Sequence, residues 1–404
     1  MRKILLLLSL SAALTVVGQP KQNSIVIGLA DSLYSTVLKE SRTYWVHLPA
    51  SYSQANKSAR YPVLYLLDGD GHFHSVTGLV HQLAGGVNGN TLFPEMIVVG
   101  VLNTDRMRDL TPSAPKTFDS LRGPFMQTAG GGERFLTFLQ TELIPAIESK
   151  YNTASYRMLV GHSLGGLMAL HAMVNHTELF NAYIAIDPSM WWNERELIKQ
   201  IKTTAAAKNF KNTSLYLSIA NTMPPGMKEA AVDADTTSNT DHIRSIRETV
   251  RVLEQNKNNG LNFKWAYFED DDHGSVPLIS TYAGLRYIFN DYRINNEIAF
   301  TDLDSLVRHY NRMSKKMGYP VYPSEGLINQ VGYILMQTNE MDKAIAAFEL
   351  NVKNYPLSSN VYDSLGDAWL AKGDKKKAKE CFEKALKIDP NNAGSKEKLE
   401  ALKK

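Results

Sequence analysis

The segment YRMLVGHSLGGLMALHAMV, residues 156–174, gives the strongest local indication of the fold of this chain. An apolar run, RMLVGH, leads into a serine, and a run with helical character, LGGLMALHAMV, follows it. Residues 161–165 therefore form a G-x-S-x-G motif between a strand and a helix, which is the setting of a nucleophile elbow. We predict that Ser163 is a nucleophile and that the backbone N–H of Leu164 faces developing negative charge.

Apolar runs and helix-like segments alternate on both sides of this motif. The runs are continuous rather than alternating, so both faces of each strand should be buried, as in a parallel sheet. This order predicts an α/β domain over residues 24–295, with a central, mostly parallel sheet, helices on both faces and a lead-in hairpin. The predicted strands are 61–69, 95–102, 156–162, 182–187, 214–220 and 264–269, and the predicted helices are 132–150, 165–175 and 240–256.

A nucleophilic serine needs a neighbouring base, because its hydroxyl is not ionised at neutral pH. His273 lies in the polar loop DDDHGS after the last predicted strand, where this fold order places a catalytic imidazole. We therefore expect His273 to be the base, and His72 and His162 to line the substrate pocket. His72 and His74 lack a third ligand in the sequence, so no metal site and no cofactor are expected.

The carboxylate of a triad would orient the imidazole and stabilise its cation. The chain order Ser–acid–His puts this residue after the strand at 214–220, and Asp235 is the candidate. Two alternatives stay open: the run 270–272 supplies the carboxylate locally, or a Ser–His dyad works without one. The first carboxylates after that strand are Glu229, Asp233, Asp235 and Asp241.

The loop after the strand at 61–69 should supply the second oxyanion donor, through the backbone N–H of Asp70 or Gly71. Trp191 and Trp192 follow another predicted strand. Trp191 is a candidate wall of the acyl site, although both rings could simply pack against the domain.

A repeat occupies the C-terminal part of the chain. Small, aromatic and proline residues recur with a period of 34, which is the tetratricopeptide pattern of paired helices. Two repeats and a capping helix are predicted over 327–404, after a helical linker at 296–326. This region is expected either to bind a protein partner or to cover the active site. The recurring pairs are Gly332 and Gly366, Ala344 and Ala378, Phe348 and Phe382, and Pro356 and Pro390.

The N-terminus and the composition indicate the compartment. Residues 1–18 combine a basic start, an apolar run and small residues at the expected cleavage point, which predicts a secretory signal peptide. No second long apolar run follows, so we expect a periplasmic or secreted protein without a membrane span. The 404 residues carry a net charge of only +3 and one cysteine, Cys381, which argues against nucleic-acid binding and against zinc fingers.

Four segments together resemble the esterase family of α/β-hydrolases that includes S-formylglutathione hydrolase, siderophore esterases, feruloyl and acetyl xylan esterases and mycolyltransferases. They are YPVLYLLDGDGHF, VGHSLGGLMAL, IAIDPSMWWN and DDDHGSVPL, in this order. The chain is most similar to the branch of siderophore-esterase-like serine hydrolases. The resemblance implies Ser163 as nucleophile, His273 as base, and Leu164 and Asp70 as oxyanion donors.

These observations predict a serine hydrolase that cleaves carboxylic esters through an acyl-enzyme. The expected substrates are siderophore trilactones or feruloyl and acetyl esters of carbohydrates, and hence small-molecule or glycan-linked esters. Two alternatives remain: an acyltransferase that uses the same site, and a non-catalytic protein whose tetratricopeptide region binds a partner.

Overall fold

Eight strands form one sheet in the computed structural model, in the order β1-β2-β4-β3-β5-β6-β7-β8. Strand β2 pairs antiparallel with both β1 and β4. The six strands β4, β3, β5, β6, β7 and β8, in their order in the sheet, are parallel. The predicted α/β fold with a mostly parallel sheet is confirmed. The strands are β1 (Leu29–Ser35), β2 (Glu40–His47), β3 (Tyr61–Leu66), β4 (Ile97–Val101), β5 (Thr153–His162), β6 (Ala182–Ile186), β7 (Ser214–Ala220) and β8 (Asn262–Phe268).

The structure describes most of the chain but not its N-terminus. The signal peptide predicted for residues 1–18 lies outside the described residues and stays a prediction. The described residues are 25–54, 59–87, 91–116, 126–204, 207–295, 298, 300 and 302–402.

Helices cover both faces of the sheet. Alternate residues of one strand enter two different apolar clusters: Tyr65 and Leu159 belong to one, and Leu64 and Val160 to the other. Strands β3, β4, β6 and β7 are buried along their whole length, as their continuous apolar runs predicted. The helices of this domain are α1 (Gly69–Ala84), α2 (Arg106–Asp109), α3 (Gly132–Phe138), α4 (Ile144–Lys150), α5 (Leu164–Asn175), α6 (Trp192–Thr204), α7 (Asp241–Gln255) and α8 (Val276–Ile288), with a π-helical turn at Leu139–Leu143 between α3 and α4.

The C-terminal part of the described chain is helical. Its first helix packs against the edge at which the parallel strands begin, because Tyr156, Phe289 and Met313 belong to one apolar cluster. The Ser155 hydroxyl also donates to the Gly318 carbonyl at 3.1 Å. These helices are α9 (Leu303–Met317), α10 (Glu325–Gln337), α11 (Met341–Asn354), α12 (Ser359–Ala371), α13 (Lys375–Ile388) and α14 (Ala393–Ala401).

The recurring residues hold each helix pair together. A Cβ atom on Gly332 would lie 2.5 Å from the Phe348 ring, and Gly366 is equally close to Phe382. Glycine is required at both positions because the aromatic ring of the second helix lies directly on the backbone of the first. Phe348 and Phe382 are fully buried as a result.

The described helices include none that is both long and apolar enough to cross a membrane.

Candidate active site

Ser163 occupies a strained turn between β5 and α5. Its backbone has φ 59° and ψ −114°, a conformation that L-residues rarely adopt. The turn is tight, because a Cβ atom on Gly161 would lie 2.9 Å from the Gly165 Cα and closer still to its carbonyl. The Ser163 N–H donates to the Ile186 carbonyl at 3.0 Å, which ties the turn to the neighbouring strand. The geometry is that of a nucleophile elbow.

His273 approaches this serine from the loop after β8. Its Nε2 lies 3.1 Å from the Ser163 Oγ, although 110 residues separate the two in sequence. The Asp272 carboxylate accepts the N–H groups of Gly274 and Ser275 at 2.8 and 2.9 Å, which forms a local turn around His273. The structure therefore brings together the nucleophile and the base that the sequence predicted.

Asp187 is the carboxylate that contacts this imidazole. Its Oδ2 lies 2.6 Å from the His273 Nδ1, so Nδ1 carries a proton and donates it, and Nε2 is free to accept the serine proton. Asp187 directly follows β6 and has no exposed surface. The Ala220 N–H donates to its Oδ1 at 2.9 Å, and its own N–H donates to the Ser218 carbonyl at 2.9 Å.

Asp235, the residue predicted for this position, makes different contacts. Its Oδ2 accepts the hydroxyls of Thr237 and Thr240 at 2.8 and 2.6 Å, and the Nδ1 of His273 is taken by Asp187 instead. The chain order placed the acid after β7, but the end of β6 is already next to the elbow because β5 and β6 are neighbours. The only local signal was an aspartate at the carboxyl end of a central strand.

The other predicted carboxylates also have different partners. Glu229 and Asp233 pair with Arg247, and Asp241 pairs with Arg195. Within the run 270–272, Asp272 caps the loop as described above.

A second imidazole contacts the same carboxylate oxygen. The Nε2 of His242, in the first turn of α7, donates to the Asp187 Oδ2 at 2.8 Å. Burial would raise the pKa of Asp187, but the hydrogen bonds from His242 and His273 outweigh it and hold this pKa well below its usual range. Asp187 is therefore a carboxylate at neutral pH. The sequence contains no signal for His242, which lies 55 residues from Asp187.

Ser189 adds a second hydroxyl beside the nucleophile. Its Oγ lies 3.1 Å from the Ser163 Oγ, and its backbone N–H donates to the Ser163 carbonyl at 3.0 Å. Ser189 is buried, so this contact is shielded from water. When Ser163 donates its proton to His273, the Ser189 hydroxyl can donate to the Ser163 oxygen.

The backbone N–H groups predicted as oxyanion donors lie at helix starts. Leu164 is the first residue of α5 and Asp70 the second of α1, and N–H groups at these positions have no partner within their helix. The turn before α1 is anchored by Asp68, whose carboxylate accepts Nε and Nη2 of Arg106 at 2.6 and 2.9 Å. Arg106 also reaches the His162 carbonyl at 3.4 Å, which links this turn to the elbow.

The sequence predicted three residues that contact substrate: His72, His162 and Trp191. His162 lies between His72 and His273, with ring centroids 5.8 and 4.5 Å away. Burial, with His273 and His72 adding to it, lowers the pKa of His162 to about 4, so this ring is neutral at pH 7. Trp191 is half-buried, and its ring lies 5.8 Å from Trp192. All three remain predicted substrate contacts.

The C-terminal helices lie far from this constellation. Ser163 follows the last residue of β5, whereas α9 packs near its first residues. A cavity of about 330 Å³ lies between α9 and the sheet. It is lined by Ser214 and Asn262, the first residues of β7 and β8, and by Met313 of α9. In the described residues, the helical region thus forms no rim of the active site.

The profile of the family described as Putative esterase matches residues 35–272, more than half of the chain. The chain belongs to that family. The resemblance expected from the four sequence segments is confirmed, and the protein is a carboxylic-ester hydrolase. A profile for the tetratricopeptide repeat matches residues 359–392, within the predicted repeat region.

Two related proteins are esterases by name. Ferri-bacillibactin esterase BesA of Bacillus subtilis is 28% identical over 261 residues, which cover 61% of this chain and 85% of that protein. The siderophore triacetylfusarinine C esterase of Aspergillus fumigatus is 28% identical over 262 residues, covering 57% and 82%.

Solved structures agree on the fold. An IroE-like serine hydrolase from Shewanella oneidensis superposes with a TM-score of 0.67 at 31% identity, covering 80% of this chain and 98% of that one. A protein of undescribed function from Capnocytophaga ochracea covers 93% of this chain and 99% of its own, with a TM-score of 0.58. At 17% identity, the latter shows a likeness of fold alone.

Proposed function

We propose that the protein hydrolyses carboxylic esters by an acyl-enzyme mechanism in which Ser163, His273 and Asp187 form the triad. One observation carries this proposal: the unbroken chain of contacts from the Ser163 Oγ through both ring nitrogens of His273 to a buried carboxylate. The contacts fix the tautomer that a general base needs, with the proton on Nδ1 and the lone pair on Nε2.

The reaction follows from this geometry. The Ser163 oxygen attacks the ester carbonyl carbon while the His273 Nε2 takes its proton, and Asp187 stabilises the resulting imidazolium. The tetrahedral intermediate collapses, the C–O bond to the alcohol breaks, and His273 returns the proton to the leaving oxygen. Water then attacks the acyl carbon while the His273 Nε2 takes a proton from it. The bond between the acyl carbon and the Ser163 oxygen breaks, His273 returns the proton to Ser163, and the acid is released.

The negative oxygen of each intermediate needs fixed donors. We assign this role to the N–H groups of Leu164 and Asp70, each at the start of a helix where donors point outward. The salt bridge of Arg106 with Asp68 supports the assignment of Asp70, because it holds the start of α1 against the elbow. The Ser189 hydroxyl supports the nucleophile itself, since a donor at 3.1 Å stabilises a serine oxygen that is losing its proton.

Siderophore esters are the substrate class that we propose first. One related protein is named as a siderophore triacetylfusarinine C esterase and the other as a ferri-bacillibactin esterase, and the similarity covers more than four-fifths of each. Esters of feruloyl or acetyl groups with carbohydrates are the second class. We further propose that the protein is exported, as residues 1–18 predict, and that its helical region binds a protein partner, since it packs away from the catalytic site.

Fluorophosphonate labelling tests the nucleophile without knowledge of the substrate. Wild-type protein should be labelled once, on Ser163, and Ser163→Ala should lose both the label and nearly all turnover of p-nitrophenyl butyrate. Ser149→Ala, an exposed serine on α4, is the matched control and should behave as wild type. Labelling of Ser163→Ala equal to that of wild type would contradict the proposal.

A substrate panel tests the class. A ferric trilactone siderophore, feruloyl and acetyl sugars and a thioester should be compared by kcat/KM, with the trilactone highest. Adding an alcohol or sugar acceptor distinguishes a hydrolase from an acyltransferase, because an acyltransferase would form the new ester faster than the free acid.

A further inference from the structure

Three ligand atoms for a metal ion converge at the acid of the triad. One oxygen of Asp187 and one nitrogen each of His242 and His273 all lie within 4.8 Å of one another. We propose that these three side chains form a zinc site, and that a bound zinc ion switches the hydrolase off. Two imidazoles and one carboxylate are a donor set that zinc favours, and three protein ligands leave a fourth position for water.

The orientation of the two rings fits such a site. Two imidazoles bound to one tetrahedral ion at about 2.0–2.1 Å place their ring centroids roughly 5 Å apart. The centroids of His242 and His273 are 5.1 Å apart, and the rings are nearly perpendicular at 88°. The nitrogens now lie 2.6 and 2.8 Å from the Asp187 Oδ2, so zinc requires each to withdraw by about half an ångström.

The site can be reached and can adjust. The side chain of His273 is 42% exposed and that of His242 is 20% exposed, so an ion can enter from solvent. His273 lies on a loop and can move outward, whereas Asp187 stays fixed through its bond to the Ala220 N–H.

A second cluster shows what distinguishes this arrangement. Glu133 also contacts two imidazoles, but His171 bonds to its Oε1 and His176 to its Oε2, at 2.5 and 2.9 Å. Each nitrogen bonds to a different carboxylate oxygen, whereas at Asp187 both nitrogens contact the same oxygen. This cluster therefore serves as an internal control.

Zinc would inhibit through the proton of His273. The inhibition rests on the proposed function, in which this residue is the base. A metal ion on Nδ1 displaces that proton to Nε2, since a neutral imidazole carries one proton. Nε2 then faces Ser163 as a donor and cannot accept its proton. His242 changes tautomer in the same way, so no proton needs to leave the protein.

Zinc binding is measured first on a protein that lacks the nucleophile. Untagged Ser163→Ala should bind one zinc ion at pH 7.5 by calorimetry. The double variant Ser163→Ala/His242→Ala should bind it at least about tenfold more weakly, since loss of even an outer-shell partner costs that much. Ser163→Ala/His176→Ala should bind as Ser163→Ala does. Equal affinity in all three proteins would overturn the proposal.

Diffraction needs no variant. Wild-type crystals soaked in zinc should show an anomalous peak among Asp187, His242 and His273, and peaks only elsewhere would overturn the assignment.

Inhibition is measured on active protein. Zinc should reduce wild-type and His176→Ala turnover to the same extent, EDTA should restore both, and His242→Ala should need at least about tenfold more zinc relative to its own basal rate. Zinc that binds without inhibiting would overturn the inhibitory role. If wild type shows no Ser163-dependent turnover, the proposed function fails while the binding result still decides the zinc site.

Discussion

The two edges of the parallel sheet carry different chemistry. At the carboxyl edge, three strands end in non-glycine residues with left-handed backbone: Asp68 after β3, Ser163 after β5 and Asp187 after β6. At the opposite edge, Tyr156, Phe289 and Met313 form one apolar cluster with the C-terminal helices. The carboxyl edge contains the strained backbone conformations and the buried carboxylate, and the opposite edge buries apolar side chains.

The chain separates its candidate catalytic groups from a large part of its apolar packing. Left-handed non-glycine residues and a buried carboxylate cost free energy, and they persist only when the rest of the fold holds them. The helical region extends the apolar core at the edge where no catalytic group lies. Substitution of a reacting group at the carboxyl edge should therefore affect turnover most strongly, and a packing change at the opposite edge should affect stability and leave turnover unchanged.

Replacement of Asp187, the proposed acid of the triad, should reduce turnover more than any other change considered below. Asp187→Asn should lower kcat by about 10,000-fold, because an amide donates to Nδ1 and leaves the His273 proton on Nε2. Asp235→Asn should stay within about twofold of wild type, since the Asp235 carboxylate accepts from Thr237 and Thr240, and His273 contacts Asp187 instead. Steady-state kinetics on a p-nitrophenyl ester decide between the two residues, and a larger loss in Asp235→Asn would reverse the assignment.

Acid should weaken the fold through the catalytic edge. The pKa of His162 is about 4 in the folded protein and about 6.5 in the unfolded chain, so the unfolded state binds more protons between these values. Its contribution to stability is present above pH 6.5 and is lost as pH falls toward 4. The free energy of unfolding should drop by about 2–3 kcal/mol more in wild type than in His162→Gln between pH 7.5 and 4.5.

Urea titrations at the two pH values measure this difference. Titrating groups that do not interact with His162 contribute equally in wild type and His162→Gln, so they cancel in the comparison. Identical pH dependence in the two proteins would show that His162 is charged or exposed in the fold.

A change in the helical region should affect stability alone. In Gly332→Ala, the new methyl group would overlap the Phe348 ring, which should lower the free energy of unfolding by about 1–3 kcal/mol. Gly326→Ala in the same helix has nothing within 4 Å of the new atom and should be neutral or slightly stabilising. Thermal unfolding measures both, and kcat should stay unchanged. A fall in kcat for Gly332→Ala would mean that the two edges are coupled.

The smallest expected effect is that of the second serine. Ser189→Ala should lower kcat by about fivefold with KM unchanged, because one hydrogen bond to the Ser163 oxygen contributes about 1 kcal/mol. Ser149→Ala again serves as the control. A rise in KM alone would assign Ser189 to substrate binding instead.

Local patterns predicted the strands, three of the helical stretches and part of the candidate site. The predicted strand at 214–220 coincides with β7, and the predicted helix at 240–256 with α7, because continuous apolar runs and helical periodicity are properties of neighbouring residues. Ser163 and Leu164 came from one motif. His273 came from its position after the last strand.

The remaining contacts were beyond such patterns. His242 and Asp187 meet because α7 begins close to the carboxyl end of β6, and no spacing in sequence marks that contact. Asp235 was chosen by chain order, whereas sheet order decides which strand end faces the imidazole.

The α/β fold, the nucleophile elbow and the helical repeat follow from the amino-acid sequence, since each depends on residues near one another in the chain. Three features are visible only in the folded molecule: which carboxylate faces His273, which second imidazole shares it, and which edge of the sheet the helices cover. These are contacts between distant segments, and the packing of strands and helices around one sheet creates them.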